Sequence, residues 1–190
     1  MRKKVYIIHG WEGFPEQALF LWLKRELEER GYKVTVPFMP DTAFPKIDTW
    51  INTLKKLVRE IDTNTILIGH SIGCQTILRY LETLPVGTKV GKVVLIAGWT
   101  HLTPKAAPDT DSKAIIKPWI ETPIDWMNIR CHTDNFTAIF SSNDPYVPIS
   151  EKDVFEKELG AKIVIEEKMG HFTEEDGVTK IVSVLNAIIS

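Results

Sequence analysis

The sequence predicts an α/β fold, a three-layer α/β/α sandwich around a mostly parallel six-stranded sheet. Short apolar runs rich in β-branched residues alternate along the chain with longer segments of helical periodicity. Most of the short runs are apolar at nearly every position, which is typical of parallel strands that helices cover on both faces. The 190 residues suit a single domain, residues 1–190, with a substantial core.

Six strands are predicted from the short runs, over residues 5–8, 34–38, 65–68, 93–97, 137–140 and 162–166. Apolar residues at helical spacing predict a first helix that ends near Gly31 and a second that has Asp48 as its N-cap. Further helices are expected directly after Ser71, over residues 151–159 and over residues 178–189. The order of these elements is the alternation that builds a parallel sheet.

The segment 99–131 interrupts this alternation. It carries four prolines and, after Trp99, two more tryptophans, without a clean period. A long irregular connection in a compact domain is usually functional or mobile. Because the segment follows the fourth strand, we expect a short lid-like insertion over a site at the carboxyl ends of the strands. A surface loop without a function is the alternative.

The third strand runs directly into a Gly-x-Ser-x-Gly pattern at residues 69–73, and a helical segment follows. Strand, tight turn and helix are the context of a nucleophile elbow, which would expose the hydroxyl of Ser71. So sharp a turn brings the residues two positions before and after the serine against backbone, so only very small residues fit at 69 and 73. The alternative is an ordinary turn in which Ser71 caps the helix.

Two partners for Ser71 follow later strands. Asp144 lies just past the fifth strand and His171 just past the sixth. Sites in open α/β sheets lie beyond the carboxyl ends of the strands, and Ser, Asp, His is the chain order expected with this elbow. His171 would act as general base and then as acid, while Asp144 would fix the imidazole tautomer and stabilise the imidazolium.

Each partner also has a plain structural interpretation. Asn-Asp-Pro is a strong turn signal, so Asp144 alone would be interpreted as a turn residue, and a lone histidine is usually a surface or core residue. Other acids compete with Asp144 for the third position, but none of them directly follows a predicted strand. These are Asp109, Asp111, Asp125 and Asp134.

An oxyanion hole needs two preorganised donors. The predicted donors are the backbone N–H groups of Ile72, directly after the nucleophile, and of Trp11, in the loop after the first strand. Gly10 lets that loop turn close to the substrate. We expect His9 to be structural and His70 to point away from the site.

Trp11 and Trp99 each lie just past the end of a strand. They are therefore candidates for the walls of an apolar acyl pocket. Ordinary core or surface aromatic residues are the alternative for both.

Composition excludes several classes of protein. The formal net charge of −2 and the lack of a basic block argue against nucleic-acid binding. Cys74 and Cys131 are isolated, and His101 and His132 have no ligand spacing, so neither a metal site nor a disulfide framework is expected. The first apolar run is too short for a signal peptide, and no run is long enough for a membrane span. We therefore expect a soluble cytoplasmic protein that needs no cofactor.

The chain resembles the α/β-hydrolase superfamily, and within it the small single-domain serine hydrolases that include retinoblastoma-binding protein 9 and bacterial YdeN-type hydrolases. The resemblance rests on residues 5–10, 69–74, 142–148 and 170–172 and extends over nearly the whole chain. It implies the shortened α/β-hydrolase fold and the triad roles argued above. It also implies a serine hydrolase, often with carboxylesterase activity on small esters. Neither cysteine lies in a Leu-x-Cys-x-Glu motif, so retinoblastoma binding is not implied.

The function predicted is therefore cleavage of a small-molecule carboxylic ester through an acyl-enzyme intermediate. The same triad would serve a thioesterase or a peptidase, and the sequence does not separate these reactions. An interaction protein on a hydrolase scaffold, with incidental or lost esterase activity, is the alternative from another class.

Overall fold

The computed structural model describes residues 2–190 and contains a six-stranded sheet. The strands are β1 (Lys4–Ile8), β2 (Lys33–Thr35), β3 (Thr65–His70), β4 (Lys92–Ile96), β5 (Phe136–Ser141) and β6 (Lys162–Glu166). Their spatial order is β2-β1-β3-β4-β5-β6, and every neighbouring pair is parallel. The predicted sheet is confirmed, and all of its pairs are parallel rather than most of them.

Helices cover both faces of this sheet. They are α1 (Ala18–Glu29), α2 (Ile47–Leu57), α3 (Ile72–Glu82), α4 (Thr110–Glu121), α5 (Trp126–Arg130), α6 (Glu151–Leu159) and α7 (Val182–Ile189), with a 3₁₀ turn at Pro104–Ala106. Helices α1 and α7 contact each other and form one layer, whereas α2, α3, α5 and α6 contact one another in series and form the other. The predicted three-layer α/β/α sandwich is confirmed.

Some predicted boundaries are wrong. Strand β2 ends at Thr35 rather than at residue 38, because Pro37 has no N–H group to donate to a neighbouring strand. Helix α2 begins one residue before Asp48, and Lys46 occupies the N-cap without a side-chain bond. Asp48 lies instead in the first turn, where its negative charge favours the N-terminal end of the helix dipole. Helix α7 begins at Val182 rather than at residue 178.

The segment 99–131 is more regular than its sequence suggests. It holds the 3₁₀ turn, α4 and α5, and α4 includes Pro118 within its last turn. That proline obscured the helical period in the sequence, since proline normally interrupts a helix. Asp109 starts α4 with a capping box, in which its side chain accepts from the Ser112 backbone N–H at 2.8 Å.

The C-terminal end of α4 is tied to the body of the protein. The buried Arg79 side chain on α3 donates to the carbonyl oxygens of Trp119, Thr122 and Pro123, which lie in the last turn of α4 and just past it. The indole of Trp119 donates to the Pro45 carbonyl and packs edge-on against Trp50. The C-terminal end of α4 is therefore fixed, and the residues before α4 and in its first half extend away from that end.

The sheet and α3 meet in a very tight turn at Ser71. A Cβ atom on Gly73 would lie 2.3 Å from the Ile8 carbonyl oxygen of β1, and one on Gly69 would lie 2.7 Å from the Cys74 nitrogen. Ser71 itself has φ 53° and ψ −120°, a backbone conformation that residues other than glycine rarely adopt. The steric requirement for glycine at both positions is confirmed.

Within residues 2–190, no helix combines the length and the apolar character needed to cross a membrane.

The contact at Gly73 gives a first prediction. In an unconstrained helix, alanine is more stable than glycine by about 1 kcal/mol. Here we expect Gly73→Ala to lower the free energy of unfolding by on the order of 3 kcal/mol, because α3 must move away from β1. Urea denaturation measures the change. In Gly87→Ala, where the added Cβ meets nothing and only the positive φ of 87° opposes it, the loss should be about 1 kcal/mol. Equal losses would contradict the contact.

Candidate active site

Ser71 lies at the carboxyl end of β3, beside the loop that follows β1. A Cβ atom on Gly10 would lie 3.4 Å from the Ser71 Cβ. Ser71 occupies the N-cap position of α3, but its side chain makes no capping hydrogen bond. The ordinary interpretation as a capping serine is therefore wrong, and the strained turn presents the hydroxyl to a cavity instead.

Asp144 and His171 are in direct contact. The His171 Nδ1 lies 2.7 Å from Asp144 Oδ2, and the Asp144 side chain is 2% exposed. The other oxygen, Oδ1, accepts from the backbone N–H groups of Tyr146 and Val147 at 2.8 and 3.0 Å. Asp144 is thus both the turn residue and the partner of the histidine.

The tautomer of a neutral His171 ring follows from this contact. A carboxylate only accepts hydrogen bonds, so Nδ1 carries the hydrogen and donates it to Asp144. The other ring nitrogen, Nε2, is then an acceptor. His171 and Ser71 line the same cavity.

The four aspartates that were alternatives to Asp144 occupy other places in the structure. Asp109 and Asp125 cap α4 and α5, and each accepts from a backbone N–H three residues later. Asp134 lines a different cavity, beside Lys92 and Lys162. Asp111 lies in the first turn of α4. Among residues 2–190, Asp144 is the aspartate whose side chain bonds to the ring of a histidine.

The loops that carry Asp144 and His171 are joined by side chains that sequence reasoning missed. Asn143 Oδ1 accepts from the Ser141 hydroxyl at 2.9 Å and from the Gly170 N–H at 2.9 Å. The Ser141 oxygen in turn accepts from the Met169 N–H at 3.0 Å. These bonds fix one loop against the other, so the contact between acid and histidine does not depend on a single hydrogen bond.

Asp176 was also missed. Its Oδ2 accepts from the N–H of His171 at 2.8 Å and from the N–H and hydroxyl of Thr173 at 3.1 and 2.7 Å. The local signal was Thr-x-x-Asp beginning two residues after the histidine, a spacing at which a side chain can close a turn. Asp176 therefore orients the backbone of His171, whereas Asp144 orients its ring.

The prediction that His70 points away from the site is wrong. Its ring centroid lies 5.0 Å from that of His171, and its Nε2–H donates to the His171 carbonyl at 2.8 Å. The loop after β6 folds back over the end of β3 and covers His70, which the local sequence could not show. Burial, and then the neighbouring charge of His171, lower the pKa of His70 to about 3, so the ring is neutral.

His9 is structural, as expected. Its Nδ1–H donates to the Gly10 carbonyl at 2.9 Å, and its Nε2 accepts from the Met39 N–H at 3.2 Å. Both ring nitrogens are thus occupied by backbone groups, and burial lowers the pKa of the ring. His9 fixes the shape of the loop in which Gly10 and Trp11 lie.

The two predicted oxyanion donors line the cavity with Ser71. In the part of the chain that the structure describes, neither the Trp11 N–H nor the Ile72 N–H donates to another group. Ile72 is the first residue of α3, where backbone N–H groups lack helical partners. The Trp11 loop is braced by the bonds of its indole to Ala43 and of the Glu12 N–H to Thr42. Their catalytic role stays a prediction.

The cavity over these residues has a volume of about 470 Å³, within the range of small-molecule sites. Trp11 and Trp99, the two predicted wall residues, both line it. The segment 102–116 supplies apolar residues to the same cavity, namely Leu102, Ala106, Pro108 and Ile116. Polar residues from this segment and from other parts of the chain also line it, among them Gln17, Lys105, Ser112 and Thr173. No group of three or more His, Cys, Asp or Glu within residues 2–190 is placed to hold a metal ion.

Comparisons with known proteins match most of the chain. The family model described as serine hydrolase matches residues 5–188. The hydrolase YdeN of Bacillus subtilis (strain 168) is 28% identical over 190 residues, which are all of this chain and 96% of that protein. Serine hydrolase RBBP9 of Rattus norvegicus is 26% identical over 165 residues, 86% of this chain and 78% of that protein.

Solved structures share the fold. The ydeN gene product of B. subtilis superposes with a TM-score of 0.90 at 28% identity, covering 98% of this chain and 97% of that one. A carboxylesterase structure from the thaumarchaeon Nitrososphaera gargenis has a TM-score of 0.71 at 15% identity, covering 99% of this chain and 90% of that one. At that identity the likeness shows the fold alone.

The buried neutral His70 gives a second prediction. The unfolded state binds a proton at a pKa near 6.5 and the folded state only near 3, so stability falls as the pH drops through this window. We expect this residue to contribute a slope of about 1.4 kcal/mol per pH unit between pH 5.5 and 4. Urea denaturation at several pH values should show that His70→Gln, which keeps an N–H donor, removes this part of the slope. A variant with the wild-type slope would show that His70 is protonated in the folded protein.

Proposed function

This chain belongs to the serine hydrolase family, and on that basis we propose that Ser71, His171 and Asp144 form a catalytic triad that cleaves small carboxylic esters. The observation that carries the proposal is the 2.7 Å contact between His171 and Asp144 at a cavity that Ser71, in its strained turn, also lines. A capping serine needs no such turn, and a surface histidine needs no buried carboxylate. Their meeting at one cavity supports a nucleophile with its base.

The first half of the reaction forms an acyl-enzyme. His171 Nε2 accepts the hydroxyl proton of Ser71 as the serine oxygen attacks the ester carbonyl. The N–H groups of Trp11 and Ile72 stabilise the negative charge that develops on the carbonyl oxygen. His171 then donates its proton to the departing alcohol, and the acyl group stays on Ser71.

Hydrolysis of the acyl-enzyme repeats these steps with water. His171 removes a proton from the water as it attacks the acyl carbonyl, and returns that proton to Ser71 as the carboxylic acid leaves. Asp144 stays ionised throughout and stabilises the imidazolium. The neutral His70 helps, because a second positive charge 5.0 Å away would disfavour that imidazolium.

The cavity supports a small substrate. Its walls are apolar around Trp99, Leu102 and Ile116, and its volume suits a compact ester rather than a long lipid or a folded protein. We take an ester rather than a thioester or a peptide bond as the substrate by analogy of fold with the carboxylesterase from N. gargenis. We assign the segment 99–131 as a lid-like insertion, since residues 102–116 form one side of the cavity.

A cytoplasmic location is part of the same proposal. Cys74 is a buried free thiol and Cys131 an exposed one. An exposed thiol is typical of a reducing compartment.

Labelling with a fluorophosphonate probe tests the nucleophile. We expect wild-type protein to be labelled and Ser71→Ala to lose the label entirely, because the probe reacts with an activated serine. Ser150→Ala is the matched control, since Ser150 is exposed and makes no capping bond, and it should be labelled like wild type. Unlabelled wild type, or equal labelling of Ser71→Ala, would favour an interaction protein on a hydrolase scaffold.

The acid is tested by Asp144→Asn. An asparagine must turn its NH₂ group either toward His171 Nδ1–H or toward the N–H groups of Tyr146 and Val147, so the tautomer of His171 is no longer fixed. We expect kcat for p-nitrophenyl butyrate to fall by about 10⁴-fold with the fold retained. Asp134→Asn, outside the cavity, should keep the wild-type rate. A loss below about tenfold in Asp144→Asn would remove Asp144 from the triad.

A further inference from the structure

The wall of the cavity at Trp99 is held in an unusual way. The chain leaves β4 through Ala97, whose φ is +49°, and the Trp99 side chain then lies 2% exposed against the cavity. The Trp99 carbonyl accepts from the buried Gln75 Nε2 at 2.6 Å. Beyond this point the segment has no strand neighbour, so other groups must fix where the indole lies.

Glu151 supplies those groups. It is the first residue of α6, and its side chain is 3% exposed. One oxygen, Oε2, accepts from both the N–H and the hydroxyl of Thr100, and Oε1 accepts from the His101 N–H at 3.2 Å, with His101 Nδ1 also at 3.2 Å. A buried carboxylate is costly unless it is fully bonded, and here every partner belongs to the two residues after Trp99.

Other contacts join the same two segments. Thr103 donates through its N–H to the Tyr146 carbonyl at 2.8 Å and through its hydroxyl to the Pro145 carbonyl at 2.6 Å. One turn after Glu151, the ring of Phe155 fills the space beside Gly98, where a Cβ atom would lie 2.7 Å from it. The cavity wall is therefore attached to the loop that carries Asp144 and to the helix that follows it.

We propose that Glu151 is a positioning residue that determines acyl specificity: it holds Thr100 and His101, and through them the indole of Trp99, at a fixed place beside Ser71. Glu151 is not among the residues that line the cavity, so it acts through Trp99 and not on the substrate. This inference rests on the proposed esterase function. A carboxylate outside the acyl pocket would then determine the depth of that pocket.

The test is the ratio of kcat/KM for p-nitrophenyl octanoate to that for p-nitrophenyl acetate, with active sites counted by fluorophosphonate labelling. In Glu151→Gln an NH₂ group faces the N–H donors of Thr100 or His101, so the wall moves outward. We expect the ratio to rise by on the order of fivefold while kcat for acetate changes by less than about twofold, since one methylene group in an apolar pocket changes kcat/KM by about tenfold or more. Glu156→Gln, exposed on the same helix, is the matched control and should keep the wild-type ratio.

A double-variant cycle shows whether Trp99 carries the effect. Trp99→Phe alters the same wall, so adding Glu151→Gln to it should change the ratio by less than about twofold. If Glu151→Gln does not fold, Thr100→Val removes one bond to the carboxylate and should move the ratio in the same direction.

Two results would overturn the role of Glu151 without affecting the proposed esterase function. One is an equal fall of kcat/KM for both esters, and the other is a full shift of the ratio in the Trp99→Phe background. Wild-type protein that hydrolyses neither ester would overturn this inference together with the proposed function.

Discussion

The close approach of α3 to β1 is the constraint on which the candidate site depends. Gly73 leaves no room for a side chain against the Ile8 carbonyl, so the first turn of α3 lies directly beside the end of β1. This contact keeps Ser71 in its strained conformation, because a relaxed turn would move the helix away from the sheet. It also places the Ile72 N–H at the same cavity as the Trp11 N–H, although the two residues belong to different parts of the chain. The strain at Ser71 and the placement of the proposed nucleophile and oxyanion donors therefore have one steric origin.

The rest of the site depends on two carboxylates and on the pKa values of the histidines around the cavity. Asp144 and Asp176 each use their oxygens on more than one donor, and together they fix the ring and the backbone of His171. The two other histidines near the cavity, His9 and His70, have pKa values lowered by burial. Among these three histidines, His171 is thus the ring that is paired with a carboxylate, and it lines the same cavity as Ser71. A hydroxyl is activated only where such a base can take its proton.

Much of this was predictable from the sequence, because strand ends in a parallel sheet meet at one edge. The apolar runs located the strands, and residues just past their ends, such as Ser71, Asp144 and His171, had to lie near one another. His70 could not be placed in this way, since its partner is the carbonyl of a residue 101 positions away. Helix α4 was hidden by Pro118. Glu151 and Arg79 looked like ordinary charged helix residues, and only the packing of distant segments shows that each is buried against backbone groups.

The proposed mechanism requires Ser71 to carry the acyl group during turnover. Rapid quenching of wild-type protein with p-nitrophenyl butyrate, followed by mass spectrometry of intact protein and of its peptides, measures this directly. We expect a transient mass increase of one butyryl group, located on Ser71, that forms and decays within the time course of ester hydrolysis. Turnover without an acyl adduct, or an adduct located on another residue, would contradict it.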